Sequence, residues 1–528
     1  MTVDALTQPH HLLSLAWNDT QQHGSWFAPL VTTSAGLLCL LLYLCSSGRR
    51  SELPVFNPKT WWELTTMRAK RDFDANAPSW IESWFSQNDK PIRFIVDSGY
   101  CTILPSSMAD EFRKMKELCM YKFLGTDFHS HLPGFDGFKE VTRDAHLITK
   151  VVMNQFQTQA PKYVKPLANE ASGIITDIFG DSNEWHTVPV YNQCLDLVTR
   201  TVTFIMVGSK LAHNEEWLDI AKHHAVTMAI QARQLRLWPV ILRPLVHWLE
   251  PQGAKLRAQV RRARQLLDPI IQERRAERDS CLAKGIEPPR YVDSIQWFED
   301  TAKGKWYDAA GAQLAMDFAG IYGTSDLLIG GLVDIVRHPH LLEPLRDEIR
   351  TVIGQGGWTP ASLYKLKLLD SCLKESQRVK PVECATMRSY ALQDVTFSNG
   401  TFIPKGELVA VAADRMSNPE VWPEPAKYDP YRYMRLREDP AKAFSAQLEN
   451  TNGDHIGFGW HPRACPGRFF ASKEIKMMLA YLLIRYDWKV VPNEPLQYYR
   501  HSFSVRIHPT TKLMMRRRDE DIRLPGSL

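Results

Sequence analysis

The sequence lacks the patterns that mark several common classes of protein. Its nine cysteines include no Cys-x-x-Cys pair and no Cys/His pair at ligand spacing, which argues against a zinc site and a disulfide framework. The net charge of +5 over 528 residues gives no concentrated basic face, so we expect no nucleic-acid partner. No Gly-rich dinucleotide fingerprint follows a strand pattern, so NADPH and flavins should belong to another protein. A mostly reduced, cytosol-facing body fits this use of cysteine best.

Basic residues are also absent before Arg49, and this absence orients the membrane signal of the chain. Residues 26–45 carry no charge over about the twenty residues that a bilayer-spanning helix needs. Arg49 and Arg50 follow directly, so the positive-inside rule places the C-terminal body in the cytosol. Asn18 then begins a glycosylation sequon on the lumenal side. A cleaved signal peptide is the alternative, which the missing basic n-region and cleavage site disfavour.

The chain therefore divides into an anchor, a hinge and a body. No repeat or low-complexity tract interrupts the body, which favours one large domain. The expected parts are a lumenal segment at 1–25, a single transmembrane anchor at 26–45, a hinge at 46–60, a catalytic domain at 61–515 and a polar tail at 516–528.

Hydrophobic periodicity predicts a fold that is mainly α with a small β-rich lobe. Strand patterns are confined to residues 92–104 and 390–412, and the second contains an Asn399-Gly400 hairpin turn. Long helical patterns cover residues 143–179, 215–249 and 254–282.

A loop near the C-terminus carries the strongest chemical signal. Residues 458–467 read Phe-Gly-Trp-His-Pro-Arg-Ala-Cys-Pro-Gly, and a helical pattern follows from Arg468 to Ala480. A helix N-terminus carries partial positive charge and free N–H groups, so we expect Cys465 to have a lowered pKa and to persist as a metal-binding thiolate. A buried structural cysteine ahead of an amphipathic helix is the alternative.

This loop resembles the heme-binding signature of the cytochromes P-450, F-x-x-G-x-R-x-C-x-G. The resemblance implies that Cys465 is the axial ligand of the iron of heme b. It also implies that Phe458 is the signature aromatic residue, that Arg463 contacts a heme propionate and that Gly467 is the final glycine. His461 stands where the family has its second glycine, so the bend over the sulfur must be made differently. The implied fold is that of cytochrome P-450, with a single large heme domain behind the anchor.

A second signal lies upstream of the cysteine. Thr359 caps a helix that begins with Pro360, and this helix is expected to carry Glu375 and Arg378 on one face. Such a pair alone is usually a minor surface contact. Here it matches the family's E-x-x-R, and Arg432 matches the arginine that joins it. The resemblance implies that these three residues form a structural network that holds the cysteine loop.

The apolar helix around residues 314–326 resembles the family's distal helix, A/G-G-x-D/E-T-T. Tyr322 stands at the acid position and Gly323 at the usual threonine position, which departs from the family pattern. Small residues of this motif let oxygen approach the backbone, and its hydroxyl groups transfer protons. The residues implied in catalysis are Ala319, Gly320, Thr324 and Ser325.

Three further residues match positions that contact heme in the family. Arg388 falls where the family has a second propionate contact. His146 and Lys150 lie at i,i+4 and are similar to the family's H-x-x-x-R, with lysine in place of arginine. A surface pair on a helix is the alternative reading of His146 and Lys150.

The resemblance implies a membrane-bound monooxygenase that hydroxylates a lipophilic compound. It would use O2 and electrons from the NADPH-dependent cytochrome P-450 reductase, which we expect to dock near Lys473 and Lys476. The expected location is the endoplasmic reticulum membrane, with one span and a cytosolic catalytic domain. Segments at 53–59 and 129–138 resemble fungal members of secondary metabolism, which suggests a terpenoid or a prenylated indole alkaloid as substrate.

Two alternatives stay open. Gly323 motivates oxidation without oxygen insertion, such as desaturation, ring closure or C–N coupling, because altered proton delivery can change the outcome of the reaction. Outside enzymology, the chain could be a heme-binding membrane protein with a degenerate site.

Overall fold

The structure is a computed structural model that describes residues 51–63 and 65–519. The expected lumenal segment, the anchor and the sequon at Asn18 lie outside the described residues, as do the last residues of the tail. The end of the hinge packs on the body, because Asn57 is buried and its side-chain amide donates to the carbonyls of Ala69 and Ile95, each at 2.9 Å. The body also reaches further than expected, since its last strand ends at Arg517.

Helices make up most of the described chain. A π-helical turn at Val151–Gln155 interrupts them. In chain order the α-helices are α1 (Met67–Phe85), α2 (Ala109–Lys114), α3 (Met120–Asp127), α4 (Asp136–Arg143), α5 (Ala145–Lys150), α6 (Phe156–Thr158), α7 (Ala160–Phe179), α8 (Val190–Val207), α9 (Ser209–Ala212), α10 (Glu215–Arg236), α11 (Arg243–Leu249), α12 (Pro251–Ala283), α13 (Ser294–Ala302), α14 (Ala309–Arg337), α15 (Leu342–Gly356), α16 (Pro360–Lys365), α17 (Lys367–Val379), α18 (Arg432–Glu438) and α19 (Arg468–Arg485).

The strands form four small sheets among the described residues. A mixed sheet has the order β1-β2-β8-β5-β3, in which only β2 and β8 are parallel. Antiparallel sheets β4-β12-β9, β10-β11 and β6-β7 complete the β structure. The strands are β1 (Ile92–Val96), β2 (Gly99–Leu104), β3 (Leu118–Cys119), β4 (His186–Val188), β5 (Ala385–Ala391), β6 (Val395–Thr396), β7 (Phe402–Ile403), β8 (Leu408–Ala412), β9 (Tyr486–Val490), β10 (Tyr498–His501), β11 (Ser504–Ile507) and β12 (Leu513–Arg517).

Helix α14 is the centre of the core. Asp308 caps it by accepting a hydrogen bond from the Gly311 N–H at 3.1 Å, and apolar residues on nearly every side are buried. The helix packs against α4, α8, α10, α17 and α19. Within the described chain it is the one helix long and apolar enough to cross a membrane, but most of it is buried inside the protein. The fold is therefore organised around a helix that reaches the site from the core.

The mainly helical fold and the small β lobe are confirmed, whereas several predicted helices are broken. The pattern over 143–179 contains α5, a π turn, α6 and α7, and the pattern over 215–249 breaks where α10 ends ahead of Pro239. The predicted helix from Pro360 is split at Leu366, whose ψ of 73° is not helical. Helix α17 then starts anew, because Glu348 accepts hydrogen bonds from its first N–H groups.

Candidate active site

Cys465 sits between a tight turn and helix α19. Its N–H donates to the carbonyl of Phe458 at 2.7 Å, which closes the loop. Within the loop the N–H of Arg463 donates to the carbonyl of Trp460 at 2.8 Å, and the turn so formed contains the cis peptide His461–Pro462. This turn makes the bend at the position where the family signature has glycine.

Gly459 is the residue that lets the loop close. Its φ of 73° lies in the left-handed region, and a Cβ at this position would lie 2.7 Å from the carbonyl oxygen of Arg463. Any side chain would therefore meet backbone rather than a movable neighbour. The sequence places glycine here, two residues before His461, and the structure gives the reason.

The thiol of Cys465 behaves differently from our expectation. Its side chain is exposed on one side, yet enough protein surrounds it that desolvation raises its pKa. The N–H groups of Gly467 and Arg468 and the charge of Arg468 lower the pKa, as a helix N-terminus should, but they do not outweigh desolvation. The predicted net lowering is wrong for the free thiol. The thiolate then depends on a bound metal, which deprotonates a coordinating thiol outright.

Arg463 has a hydrogen-bond donor to spare. Its Nη1 donates to Ser389 Oγ at 2.9 Å, its Nη2 donates to the Met115 carbonyl at 2.5 Å, and its guanidinium lies 4.9 Å from the centre of the Phe112 ring. The Nε atom is buried and has no partner among the described residues. A buried N–H without an acceptor is costly, so this position calls for an anionic group such as a propionate.

The structure places the three other implied heme contacts, Arg388, His146 and Lys150, in separate surroundings. Arg388 follows a bulge in β5 at Met387, whose φ is 56°, and pairs with Glu383 at 2.6 Å. His146 and Lys150 are both exposed on α5. Within the described part of the chain, none of these side chains hydrogen-bonds to Arg463.

Behind the loop, a buried ion pair lies in α17. Arg378 donates two hydrogen bonds of 2.8 Å to the Glu375 carboxylate, and Arg432 Nε donates to Glu375 Oε1 at 3.0 Å. Arg378 also donates to the carbonyls of Met416 and Pro425 at 2.7 and 2.8 Å. The structure thus brings the three network residues together and ties them to the segment between β8 and α18.

A chain of side chains connects this network to the cysteine loop. The Tyr433 hydroxyl donates to His455 Nδ1 at 2.8 Å, and His455 Nε2 donates to Gln377 Oε1 at 2.9 Å. The Gln377 side chain lies against Gly457, where a Cβ would come within 2.4 Å of it. Helix α17 therefore holds the residues that lead into the loop.

On the distal side, α14 presents an open face at Ala319 and Gly323. Both residues are exposed although the helix is buried, and a Cβ on Gly323 would meet no atom within 4 Å. Residues four apart share a face, whereas each single step turns by about 100°. The open face therefore belongs to Ala319 and Gly323.

Thr324 and Ser325, which we expected to transfer protons, do not lie on this open face. Thr324 is buried, and the Ser325 hydroxyl donates to the Ile321 carbonyl at 2.7 Å. Tyr322, at the acid position, donates to the carbonyl of Lys222 in α10. Their position in the motif did not show how helix rotation turns them away.

Gly320 serves helix packing. A Cβ there would lie 3.2 Å from Val202 Cγ1, so the glycine lets α8 approach α14. We expected Gly320 to let oxygen approach the backbone, but its open position faces α8. Of the two small residues in the motif, Ala319 alone borders the open face.

No pattern in the sequence indicates the aromatic residues beside this face. Phe318 precedes Ala319, and its ring contacts Phe128 and Phe138 edge-on at 5.6 and 5.1 Å. The sequence also gave no reason to single out Asp317, which is buried with neither carboxylate oxygen partnered among the described residues. Burial raises its pKa to about 8. Only the packing of distant segments reveals both features.

The expected docking lysines are not equivalent. Lys476 is buried and pairs with Asp370 of α17, so it is not part of a docking surface. Lys473 is half-buried, and its Nζ donates to the Phe469 carbonyl at 3.0 Å. The expectation for Lys476 is wrong, because a long-range carboxylate draws its side chain inward.

Together these residues fit a heme held by one thiol. No group of three or more His, Cys, Asp or Glu side chains in the described part of the chain could hold a metal ion. One exposed thiol, a buried arginine with a free N–H, and an open helix face suit a macrocycle that supplies the remaining ligands itself.

The comparisons with known proteins decide the family. A family model for cytochrome P450 matches residues 128–515. This chain belongs to the cytochrome P450 family. Two solved structures, a cytochrome P450DA heme domain and a retinoic acid bound cyanobacterial CYP120A1, share the fold with TM-scores of 0.68 and 0.63 at 16% and 18% identity. Each match covers 89% of this chain, and 99% and 100% of the two solved chains.

Curated relatives are far more similar. The chain is 99% identical over 528 residues to "Dihydromonacolin L monooxygenase LovA" of Aspergillus terreus, covering 100% of both. It is 86% identical to "Dihydromonacolin L monooxygenase mokC" of Monascus pilosus, covering 99% of this chain and 100% of the relative. It is 73% identical to "Dihydro-ML-236C monooxygenase mlcC" of Penicillium citrinum, covering 93% and 95%.

Membership confirms the general expectations. This P450 is a monooxygenase of fungal secondary metabolism that acts on a lipophilic compound. Its cofactor is heme with a cysteine thiolate ligand, and it uses O2 and a redox partner.

Proposed function

We propose that this P450 hydroxylates dihydromonacolin L, with Cys465 as the axial ligand of its heme. The observation that carries the substrate is the 99% identity over 528 residues to a relative with that compound in its name. Two further relatives at 86% and 73% identity are named for dihydromonacolin L and dihydro-ML-236C. This proposal replaces the terpenoid and indole alkaloid classes suggested by the sequence.

The proximal residues hold and orient. When bound, heme supplies the activation of O2 and the insertion of one oxygen atom into a C–H bond of the substrate. Cys465 would ligate the iron while the N–H groups of Gly467 and Arg468 stabilise its negative charge. Arg463 would donate its free Nε–H to a propionate. Glu375 and Arg378 would keep the loop in one position from behind.

The distal residues give the open face of α14 an apolar border. Ala319 and Gly323 are both exposed on this face, and they place no hydroxyl or acid there. Phe318 and its ring partners Phe128 and Phe138 give the neighbouring wall an apolar surface, which suits a lipophilic substrate. Proton delivery then requires water or a side chain outside this pair of positions.

We infer that the redox partner is the NADPH-dependent cytochrome P-450 reductase. The surface beside the cysteine loop carries basic residues that support this inference. Arg113 donates to the His461 carbonyl at 2.9 Å and lies 4.4 Å from the centre of the Trp460 ring. Lys114 is next to it and 62% exposed, and the two basic side chains share one acidic partner, Asp110. Charge substitution at Lys114 should slow electron transfer more at low salt than at high salt.

We infer an endoplasmic reticulum membrane location with one span and a cytosolic catalytic domain. The anchor pattern at residues 26–45 supports it, and so does an exposed apolar surface between α10 and α12. Ile241 is 86% exposed and Leu249 is 74% exposed. Flotation with vesicles tests this surface: I241D/L249D in a chain lacking residues 1–45 should reduce binding, and unchanged binding would contradict a membrane role.

Turnover with labelled oxygen tests the reaction itself. The full chain with its reductase, NADPH and dihydromonacolin L should give a product that carries one atom from labelled O2. A product without label would instead support desaturation or ring closure, which the missing hydroxyl at Gly323 keeps as the second candidate. Absence of any product would contradict the proposed substrate.

A further inference from the structure

Residues 128–138, which we name the wall segment, form one side of the site. The Phe128 and Phe138 rings stack at 4.0 Å between their centres, and both contact Phe318 of α14. Gly137 of this segment also packs against the backbone of Ala315, which lies one turn before Ala319 on the same face of α14. The position of the segment therefore sets how much space lies beside the open face.

Three buried histidines hydrogen-bond across the junction between the wall segment and helices α10 and α11. His129 Nε2 donates to the Ala232 carbonyl at 3.1 Å. In the reverse direction, His224 Nε2 donates to the Gly134 carbonyl at 3.4 Å. All three histidines are at most 2% exposed, and the third, His247, completes the set by donating to the Pro133 carbonyl at 2.8 Å.

The tautomer of these rings follows from their partners. A carbonyl oxygen can only accept, so each Nε2 carries the hydrogen. Gln231 supports this assignment for His247, because its amide donates to His247 Nδ1 at 3.4 Å. Desolvation lowers the pKa of His129 and of His224 to about 4, so both rings stay neutral near neutral pH. The donors and acceptors of these hydrogen bonds therefore do not change near neutral pH.

Apolar packing surrounds the same junction but constrains it differently. Leu132 and Phe135 are buried against Met228 and Leu256. Apolar contact is non-directional, whereas a hydrogen bond restricts both the distance and the angle at which its acceptor lies. The three imidazoles donate to backbone carbonyls on both sides of the junction. They therefore restrict the position of the wall segment relative to α10 and α11 in a way that apolar packing alone does not.

We propose that His129, His224 and His247 are positioning residues that fasten the wall segment to α10 and α11 and so set the shape of the substrate site beside Ala319. The substrate named in this inference rests on the proposed function, whereas the three hydrogen bonds are independent of it. Removing one hydrogen bond should loosen the wall and weaken the binding of ligands that contact it, without disturbing heme ligation.

The test compares variants that lose or keep the donor. His224→Leu and His247→Leu remove it, whereas His224→Gln and His247→Gln retain an N–H at a similar reach. Each holoenzyme is first checked for the red-shifted reduced CO band. Spectral titration then measures affinity for dihydromonacolin L, for phenylimidazole and for imidazole, and amide exchange measures protection of residues 128–138 without ligand.

We expect the Leu variants to bind dihydromonacolin L and phenylimidazole about two- to tenfold more weakly, with imidazole unchanged, and to exchange faster at residues 128–138. The Gln variants should recover most of the affinity. Faster exchange with unchanged affinities would overturn the positioning role, as would unchanged exchange. If wild-type enzyme binds phenylimidazole but not dihydromonacolin L, the proposed substrate is wrong. The phenylimidazole affinities of the variants then still test the positioning role of the histidines. If a Leu variant loses the CO band, the Gln variant at that position is compared with the Asn variant instead.

Discussion

Glu375 and Arg378 form a two-bonded ion pair one turn apart in α17, and neither side chain is exposed to solvent. The same spacing at the surface usually contributes little to stability. Here both ions are fully desolvated, and Arg432 and backbone carbonyls satisfy the remaining hydrogen-bonding groups. The pair is therefore much more costly to break than to keep.

Substituting one partner should expose this cost. We expect Glu375→Gln to lower the free energy of unfolding by about 3 to 5 kcal/mol, because it leaves Arg378 buried without its counter-ion. The exposed pair Glu424 and Lys427 is a matched control at the same i,i+3 spacing, and Glu424→Gln should change stability by no more than about 0.5 kcal/mol. Urea unfolding of both holoenzymes measures the difference. Equal effects would mean that burial does not matter here.

The cysteine loop should be intolerant of a methyl group at Gly459. We expect Gly459→Ala to lose bound heme, because the added carbon meets the Arg463 carbonyl at 2.7 Å and the φ is positive. Gly400 also has a positive φ, 84°, but no atom lies within 4 Å of its Cβ position, so Gly400→Ala should keep its heme. Heme content per protein compares the two. Retention in the Gly459 variant would contradict the loop geometry.

The open face should accept a hydroxyl at residue 323. We expect Gly323→Thr to fold, since no atom lies within 4 Å of the added Cβ, and to release less peroxide per NADPH because a proton donor joins the open face. Gly320→Thr is the control, since its Cβ would press on Val202 at 3.2 Å. It should lower stability without improving coupling. Unchanged peroxide release from Gly323→Thr would show that protons do not pass this position.

Asp317 should make the protein less stable as pH rises. Burial raises its pKa from 3.8 to about 8, so the folded state keeps a proton that the unfolded state loses above about pH 4. Stability from this group is complete below about pH 4 and is lost as pH rises to about 8, at no more than about 1.4 kcal/mol per pH unit.

The neutral isostere isolates this effect. Relative to wild type, Asp317→Asn should gain stability between about pH 5 and pH 8. Glu474 is also buried with its pKa raised to about 8, and it remains in both proteins, so its contribution cancels. Urea midpoints at the two pH values measure the difference. A difference in stability that does not change with pH would mean that Asp317 is not the group that keeps the proton.

Sequence reasoning succeeded where the chemistry is local. Cys465 and Phe458 are joined by a hydrogen bond within one loop, and Glu375 and Arg378 are neighbours on one helix, so spacing alone indicates them. Sequence patterns did not predict the features that depend on the rotation of a helix or on partners distant in the chain. Thr324 is one step from Gly323 in sequence but is turned away from the open face, and Lys476 is buried by Asp370.

The same limit applies to charge and to packing. The pKa of the Cys465 thiol depends on a balance between desolvation and helix N–H groups, and the amount of surrounding protein cannot be counted from a loop. The wall segment likewise depends on contacts between helices far apart in the chain, such as His247 with Pro133. These features need the fold first.

The reduced, CO-bound absorption spectrum tests the central claim most directly. Wild type should show the red-shifted Soret band of a thiolate-ligated heme, Cys465→Ala should lose it, and Cys281→Ala, at a half-buried free cysteine, should keep it. An unchanged band in Cys465→Ala would contradict the assignment of Cys465 as the iron ligand.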